Sequence, residues 1–178
     1  MVGKKTNKLT TGGKVWRMMI AIGVPMAVGI VSALLTMSAA DKYSGYAQPP
    51  LAPPGWLFPV AWTVLYILMG VASYFIAAAI RDNRGKKGAE NVKRAKLGRA
   101  ALVIYSVQLV FNFVWSILFF NLGLYWVAFG WLIVMWLMIL VLVIMSFRLY
   151  RAAFWCLIPY LIWVTFAAYL NCGVALLN

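Results

Sequence analysis

The sequence predicts an all-α membrane protein: a bundle of five transmembrane helices with an ordered, proline-rich first loop. Two observations lead to this prediction. Of the 178 residues, 65% are hydrophobic and only 11% are charged, which is more apolar surface than a small soluble domain can hide in its core. The charged residues are also gathered into short stretches, separated by uncharged runs long enough to cross a hydrocarbon layer of about 30 Å.

Uncharged runs predict the first two spans. Residues 18–40 carry no charge and suffice for one crossing. The next uncharged run, residues 43–80, opens with a group of four prolines, namely Pro49, Pro50, Pro53 and Pro54. Because proline cannot continue a helix, this part is predicted as a loop, and the second span is placed at residues 57–80.

One long run and the last apolar segment predict the other three spans. Residues 100–147 contain no charge, and their length is roughly twice what one crossing needs. Asn121-Leu122-Gly123 is the only turn signal inside this run, so it is divided into spans 100–120 and 124–147 joined by a tight hairpin. The last span is placed at residues 152–176, and residues 1–178 are treated as a single transmembrane domain.

The basic residues predict the orientation in the membrane. They cluster before the first span, between the second and third spans, and between the fourth and fifth spans. Because basic loops stay in the cytoplasm, we expect a multi-pass protein with a cytoplasmic N-terminus, in a bacterial cell membrane. Topology alone accounts for the net charge of +13; anionic lipid headgroups are the alternative partner of the basic loops, and nucleic acid is not expected.

Conventional catalysis is not expected, because the predicted spans contain no Asp, Glu, Lys, Arg or His. Ion pumps, proton-coupled transporters and hydrolases depend on such groups. The only acids, Asp41, Asp82 and Glu90, lie in predicted loops. Cys156 and Cys172 show no paired spacing and the chain has no histidine, so we expect no metal site and no cofactor.

Tryptophans are the unusual feature of the spans, since the chain contains nine of them. Those near span ends fit an interfacial belt, but Trp62, Trp115 and Trp163 lie deeper, where an indole N–H needs a partner. Asn112 and Ser116 share one face of the third span with Trp115. Two interpretations remain open: helix packing with a few hydrogen bonds, or an apolar pocket for a planar aromatic ligand.

Three segments carry a family resemblance. They read APPGWLFPVAWTVLY at residues 52–66, NFVWSILFF at residues 112–120 and PYLIWVTFAAYLN at residues 159–171. In this order and spacing they resemble the motifs of the translocator-protein family. That family is also called the tryptophan-rich sensory protein family, and its mitochondrial members the peripheral benzodiazepine receptor.

The resemblance implies five tilted helices, usually in a homodimer, with the first loop closing a pocket. It implies binding of protoporphyrin IX, of benzodiazepine-type and isoquinoline-carboxamide drugs, and of membrane lipids. Trp62 and Trp163 match tryptophans implicated in porphyrin breakdown, which makes them the candidate catalytic residues. The matched ligand-binding positions are Tyr43, Pro53, Trp62, Asn112, Trp115, Ser116, Trp163, Ala167 and Leu170.

Three functions follow as alternatives. The first is a porphyrin-binding sensor or regulator of porphyrin metabolism, and the second is light- and oxygen-dependent porphyrin breakdown. In both, the macrocycle would lie against Trp62, Trp115 and Trp163 beneath a proline-rich lid. The third alternative is a transporter of small molecules or lipids, or a membrane scaffold, with incidental porphyrin binding. The sterol pattern of animal members is absent after Asn171.

Overall fold

The computed structural model describes residues 10–43 and 45–178, without the side chains of residues 38–43. Within these residues the chain forms five long helices and no strand, which confirms the predicted fold class. The helices are α1 Thr11–Tyr43, α2 Leu57–Asn83, α3 Ala89–Ser116, α4 Tyr125–Leu149 and α5 Arg151–Leu177. Each includes a stretch long and apolar enough to cross a membrane, so the chain is an integral multi-pass membrane protein.

The packing of the helices leaves α1 at the edge of the bundle. Helix α2 packs against α1, α3 and α5, and α4 packs against α3 and α5. The fully buried core comes mainly from these inner faces, with Met69, Ile76, Leu132, Met135, Ile139, Leu157 and Tyr160 among its largest side chains. Along α1, apolar side chains such as Val24, Ile30 and Leu34 are exposed. Such a helix is stable where lipid replaces water as its surroundings.

The helices extend beyond the predicted spans. Helix α1 begins at Thr11 and α3 begins at Ala89, each before its uncharged run. The basic side chains Lys93, Lys96 and Arg99, predicted to lie in a loop, therefore lie on the first turns of α3. Charge limits which part of a helix enters hydrocarbon, but backbone hydrogen bonding continues into the polar interface, so uncharged runs underestimate helix length.

Helix α3 ends in a π-helical turn, Ile117–Asn121. A tight turn follows in which Gly123 has a φ of +64°, a conformation that favours glycine. The hairpin predicted at Asn121-Leu122-Gly123 is therefore present between α3 and α4. The Asn121 side chain also donates a hydrogen bond of 3.0 Å to the Leu35 carbonyl of α1, so this turn ties the outermost helix to the bundle.

The described part of the first loop, residues 45–56, lies against the end of α5. The Tyr169 hydroxyl donates a 2.6 Å hydrogen bond to the Pro50 carbonyl. The side-chain amide of Asn178 accepts a hydrogen bond from the Ala47 N–H at 3.1 Å and donates one to the Ala47 carbonyl at 3.0 Å. These side chains hold the loop to α5 through its backbone.

The first loop also depends on a close contact with α5 and on a tight turn of its own backbone. A Cβ at Gly173 would lie 2.5 Å from the Pro49 ring, so only glycine lets α5 approach the loop this closely. Leu51 has a φ of +67°, inside a tight turn closed by a 3.2 Å hydrogen bond from the Ala52 N–H to the Pro49 carbonyl. A left-handed leucine costs about 1–2 kcal/mol, which the surrounding contacts must offset.

A polar contact lies at the other end of the bundle. The Tyr150 hydroxyl, between α4 and α5, donates a hydrogen bond to the Asp82 carboxylate near the end of α2. Arg94 of α3 donates to the Leu149 carbonyl at 2.8 Å. The hydrogen bond to the carboxylate, together with burial, raises the pKa of Tyr150 above its ordinary value. This contact connects the ends of α2, α4 and α5.

Candidate ligand-binding site

A partly open cavity of about 320 Å³ lies between α1, α2 and α3, and we call it the larger cavity. Its walls come from late α1, early α2 and late α3, which places it at the end of the bundle next to the first loop. Its volume lies at the lower end of the range of about 300–1,000 Å³ for small-molecule sites. The lining includes Gly29, Ser32, Thr36, Phe58, Trp62, Tyr66, Asn112, Trp115, Ser116 and Phe120.

Four of the predicted ligand-binding residues meet in this cavity. Trp62, Asn112, Trp115 and Ser116 all line it, although they come from two helices and are separated by some 50 positions in sequence. Helical spacing places Asn112, Trp115 and Ser116 on one face of α3, and the packing of α2 on α3 brings Trp62 to the same space.

Aromatic rings form one wall of the larger cavity. The Trp62 ring centroid lies 5.6 Å from that of Tyr66 and 6.4 Å from those of both Trp115 and Tyr160. The Trp62 ring is tilted by 31° from Tyr66 and by 37° from Trp115. These separations are typical of favourable aromatic pairs. The result is a broad apolar surface presented by side chains that hold one another in place.

A run of hydrogen bonds lies behind this wall. The Tyr66 hydroxyl donates to the Asn112 carbonyl oxygen at 2.7 Å, and the Asn112 amide donates to the Tyr160 hydroxyl at 3.2 Å. The Tyr160 hydroxyl in turn donates to the Gln108 carbonyl oxygen at 2.8 Å. All four residues are buried. Because lipid offers no hydrogen bonds, these mutual partners are what make buried polar groups tolerable here.

Helix α1 supplies a wall of small side chains. Ser32 and Ser116 share a hydrogen bond of 2.6 Å across the α1–α3 contact. A Cβ at Gly29 would lie 2.3 Å from the Tyr66 ring, so the absence of a side chain at this position admits that ring. Further along the same contact, a Cβ at Gly70 would lie 2.4 Å from the backbone of Ile22. Glycines thus set how closely α1 approaches α2.

A second space, of about 20 Å³, lies beside the larger cavity, and we call it the smaller chamber. The predicted residues Ala167 and Leu170 line it together with Trp115. The Trp115 indole N–H donates a 3.1 Å hydrogen bond to the Asn171 carbonyl oxygen, and the Asn171 amide donates to the Tyr125 carbonyl at 2.9 Å. Trp115 is therefore held in place between the two spaces.

Trp163 lies outside both spaces. Its ring contacts Phe58 edge to face, with centroids 6.1 Å apart and planes at 76°. The indole nitrogen is enclosed by protein, and among the described residues it has no hydrogen-bond acceptor. The two candidate catalytic tryptophans are thus not side by side, because Trp62 lines the larger cavity and Trp163 lies beyond the Phe58 ring.

Of the two predicted loop positions, only Pro53 has a described side chain. Pro53 is half-buried within the loop, but it is absent from the walls of both the larger cavity and the smaller chamber. Tyr43 is the last residue of α1, and its side chain lies outside the described residues, so its predicted position over the pocket stays a prediction.

Other deep indoles serve helix packing. The Trp131 N–H donates to the Phe111 carbonyl at 2.9 Å, with the two rings stacked at 4.1 Å. The Trp136 N–H donates to the Thr165 hydroxyl at 2.8 Å. Both interpretations drawn from the tryptophan content therefore apply, since some indoles join helices and others line a cavity.

The site offers binding surface rather than conventional acid–base groups. Among the described residues, no three His, Cys, Asp or Glu side chains lie close enough to hold a metal ion. The polar residues that line the cavity include Ser32, Thr36, Tyr66, Asn112 and Ser116, which carry hydroxyl or amide groups. Such a site can bury a flat apolar ligand and hydrogen-bond its polar substituents.

Sequence reasoning missed several residues of the site. Phe58 and Tyr66 lie four positions before and after Trp62, so helical periodicity from Trp62 could have indicated both. Tyr160 lies four residues before Val164, and both are buried on α5. This spacing is a weaker signal for a site residue. Small residues such as Gly29 permit close helix contact but occur in many spans, so Gly29 and Ser32 of α1 carried no specific signal.

Comparison with known proteins gives the family. The TspO/MBR family model matches residues 21–177. The chain is 34% identical over 166 residues to the Tryptophan-rich protein TspO of Chlorobaculum tepidum, covering 89% of this chain and 94% of that relative. It is 31% identical over 158 residues to the Tryptophan-rich sensory protein of Cereibacter sphaeroides, covering 89% and 87% of the two chains. It is 32% identical over 133 residues to the Translocator protein of Ovis aries, covering 72% and 70%.

The motifs that suggested the resemblance and the residues matched by the family model occupy the same part of the chain. The aromatic wall and the hydrogen-bonded residues behind it also lie within residues 21–177. The chain therefore belongs to the TspO/MBR family.

Proposed function

We propose that this protein binds a planar tetrapyrrole such as protoporphyrin IX and acts as a sensor or regulator of porphyrin metabolism. The observation that carries the proposal is the aromatic wall, in which the Trp62 ring lies 5.6 Å from the Tyr66 ring and 6.4 Å from the Trp115 ring, all three lining an apolar cavity. Burying apolar ligand area contributes about 25 cal/mol per Å², and offset aromatic contacts add to it.

The cavity supports a particular pose for this ligand. The macrocycle would lie against Trp62 and Trp115, and its charged propionates would extend past Gly55 toward the first loop and the water interface. Hydroxyl groups of Ser32 and Thr36 would meet polar edges of the ligand. The first loop, held to α5 by Tyr169, would act as the lid.

Direct titration tests this proposal. Protein in lipid nanodiscs is titrated with protoporphyrin IX while the porphyrin absorbance is followed. Saturable binding is expected, with Trp62→Ala weakening it about 2–12-fold, the equivalent of an aromatic contact of about 0.5–1.5 kcal/mol. Trp126→Ala is the matched control, because Trp126 is exposed and lines neither space. Absence of saturation in the wild-type protein rejects the proposal.

A second candidate function is light-dependent porphyrin breakdown. The larger cavity favours it, because a porphyrin held against Trp62 and Trp115, whose rings lie 6.4 Å apart, would pass its excitation energy to dioxygen, which would add across a bond of the macrocycle so that both oxygen atoms end in the opened ring. The porphyrin absorbs the light, dioxygen is the oxidant, and the protein supplies confinement. Loss of porphyrin absorbance under illumination is compared in wild type, Trp62→Phe and Trp163→Phe, with dark and oxygen-free controls. Equal decay in all three proteins removes this candidate.

A transporter or scaffold is the alternative to both. Relatives are named Translocator protein and Tryptophan-rich sensory protein, so uptake and sensing both need a direct test. Porphyrin uptake into liposomes that contain the protein, but not into empty liposomes, would support transport. Porphyrin binding without uptake supports the sensor.

We further propose the membrane setting and the partners. The N-terminus lies in the cytoplasm of a bacterial cell, the protein forms a homodimer, and benzodiazepine-type or isoquinoline-carboxamide drugs compete for the larger cavity. Thiol labelling of Lys86→Cys, in the basic α2–α3 connection, and of Pro54→Cys, in the first loop, tests the orientation. In sealed cells, and with the native Cys156 and Cys172 replaced by alanine in both variants, an impermeant reagent should modify only the second variant.

A further inference from the structure

We propose that the corner where α4 meets α5 binds an anionic phospholipid, with the lipid phosphate on two arginines and the acyl chains along neighbouring aromatic rings. We call this surface the α4–α5 corner, and it consists of Phe147, Arg148, Arg151, Phe154 and Trp155. The corner lies at the end of the bundle opposite the first loop, where Tyr150 meets the end of α2. The inference therefore goes beyond the proposed function and does not depend on porphyrin binding.

The members of the corner form one continuous surface. Arg151, Phe154 and Trp155 share a face of α5 by their helical spacing. The Phe147 ring of α4 joins this face, because its centroid lies 5.2 Å from that of Phe154 and 5.0 Å from the guanidinium carbon of Arg151. The Phe154 and Trp155 rings lie 5.1 Å apart. Arg148 directly follows Phe147, and both arginines are exposed. Basic groups and aromatic rings thus adjoin one another at the surface.

The positive charge of the corner is not neutralised by side chains of its own helices, because residues 91–178 contain no Asp or Glu. Of the two acids at this end of the bundle, Asp82 accepts the hydrogen bond from Tyr150, and Glu90 lies on the first turn of α3. Topology requires a net positive charge at this end, but it does not require that a guanidinium lie over a ring. A guanidinium held in this way can still donate hydrogen bonds, and its geometry matches a phosphate group.

The backbone of the corner is held in place by several hydrogen bonds. Tyr150 is the single residue between α4 and α5. Its N–H donates to the Ser146 carbonyl at 2.9 Å, and its carbonyl accepts from the Phe154 N–H at 3.2 Å. Arg94 of α3 donates to the Leu149 carbonyl at 2.8 Å. Because the backbone that carries the two arginines is already ordered, a ligand there meets a smaller entropic cost.

The exposed rings favour a phospholipid over a free phosphate ion. Phe147 is 49% exposed and Trp155 is 63% exposed, and aromatic side chains at this depth of a membrane lie at the level of the headgroups. A phospholipid can contact the arginines through its phosphate and the rings through its acyl chains, whereas a phosphate ion can contact only the arginines. A headgroup with net negative charge is expected, because the choline of phosphatidylcholine offsets the phosphate charge.

Native mass spectrometry of the full chain in detergent micelles tests this site, with phosphatidylglycerol, phosphatidylcholine and inorganic phosphate as probes. In micelles there is no charged bilayer surface to gather lipid around the protein, so one-to-one complexes report a specific site. The wild-type protein should bind phosphatidylglycerol more tightly than phosphatidylcholine. Arg151→Gln should weaken phosphatidylglycerol binding about tenfold, the loss typical of a hydrogen bond to a charged group, and leave phosphatidylcholine binding unchanged.

Two further variants separate a site from diffuse charge. Arg84→Gln is the matched control, because it removes an exposed arginine at the same end of the bundle, from the end of α2, and it should behave as wild type. Arg151→Lys keeps the charge without the planar guanidinium and should lose part of the affinity. Equal losses in Arg151→Gln and Arg84→Gln overturn the site. Inorganic phosphate that displaces the lipid at equal concentration overturns the assignment of a lipid.

Quenching by brominated lipids tests where the lipid lies. In nanodiscs that contain a small fraction of lipid with brominated acyl chains, subtracting the spectrum of Trp155→Phe gives the Trp155 share of the fluorescence. Brominated phosphatidylglycerol should quench this share more strongly than brominated phosphatidylcholine, and Arg151→Gln should remove the difference. Trp126, exposed at the start of α4, is the control, and its share should respond equally to both lipids. Equal quenching of Trp155 by both lipids in the wild-type protein overturns the proposal.

Discussion

Replacing Gly29 by alanine should destabilise this protein, whereas the same replacement at Gly23 should not. Both glycines lie on α1. A new Cβ at Gly29 would lie 2.3 and 2.5 Å from two atoms of the Tyr66 ring, whereas at Gly23 nothing lies within 4 Å. The pair therefore compares one substitution in two environments on one helix.

The magnitude follows from three contributions. Each variant gains about 1 kcal/mol in helix propensity, which cancels in the comparison. Overpacking at Gly29 costs about 1–3 kcal/mol. If the Tyr66 ring moves, its 2.7 Å hydrogen bond to Asn112 breaks, and a buried amide oxygen left without a donor costs about 1–3 kcal/mol more. The free energies of unfolding of the two variants should thus differ by about 1–3 kcal/mol if the ring stays and by about 2–6 kcal/mol if it moves.

Reversible unfolding in mixed micelles, titrated with a denaturing detergent and followed by tryptophan fluorescence, measures this difference. Gly23→Ala should match or slightly exceed wild type in its free energy of unfolding. Gly29→Ala should unfold at a distinctly lower concentration of the denaturing detergent. Its porphyrin binding should also weaken, because the displaced Tyr66 ring enters the larger cavity. If the free energies of unfolding of Gly29→Ala and Gly23→Ala differ by less than about 0.5 kcal/mol, the reasoning is refuted, because substitutions at exposed positions typically have effects of that size.

Three other predictions address the loop, the chamber and the far end of the bundle. Gly173→Ala should push Pro49 away from α5, so limited proteolysis should cut the first loop faster; an unchanged rate contradicts this. Trp115→Phe should cost about 1–3 kcal/mol, because the amide oxygen that accepts its N–H stays buried without a donor; an unchanged unfolding midpoint argues against it. Because the hydrogen bond to Asp82 raises the pKa of Tyr150, the unfolded state loses its proton first, and stability should fall as pH rises above about 10. Tyr150→Phe should make that fall shallower, and equal slopes would contradict the assignment.

The number and order of the helices could be predicted because lipid imposes a strong constraint on sequence. An uncharged run of sufficient length has few alternatives to a spanning helix. The turn at Gly123 was visible because a left-handed φ favours that residue. The start of α3 at Ala89 could not be predicted from the sequence, because a charged segment at the polar interface of a membrane can form either a helix or a loop.

The candidate site was partly predictable for a similar reason. Asn112, Trp115 and Ser116 share a helical face, so their meeting follows from spacing alone. The walls from α1 depend on how closely that helix approaches α2, which is set by contacts at Gly29 rather than by periodicity. Trp163 packs against the Phe58 ring and lies outside both spaces, a detail of packing that no sequence pattern carries.

The hydrogen bonds that begin at Tyr66 all run in one direction, since each side chain donates a hydrogen bond to the next one and Gln108 is the last acceptor. Because each of these hydrogen bonds shares a side chain with the next, the direction of one bond cannot reverse unless the directions of its neighbours reverse too. In hydrocarbon there is no water to absorb a mismatch. Helices α2, α3 and α5 are therefore joined by one continuous set of buried hydrogen bonds, whereas α1 is joined to the bundle by separate ones, between Ser32 and Ser116 and between Leu35 and Asn121.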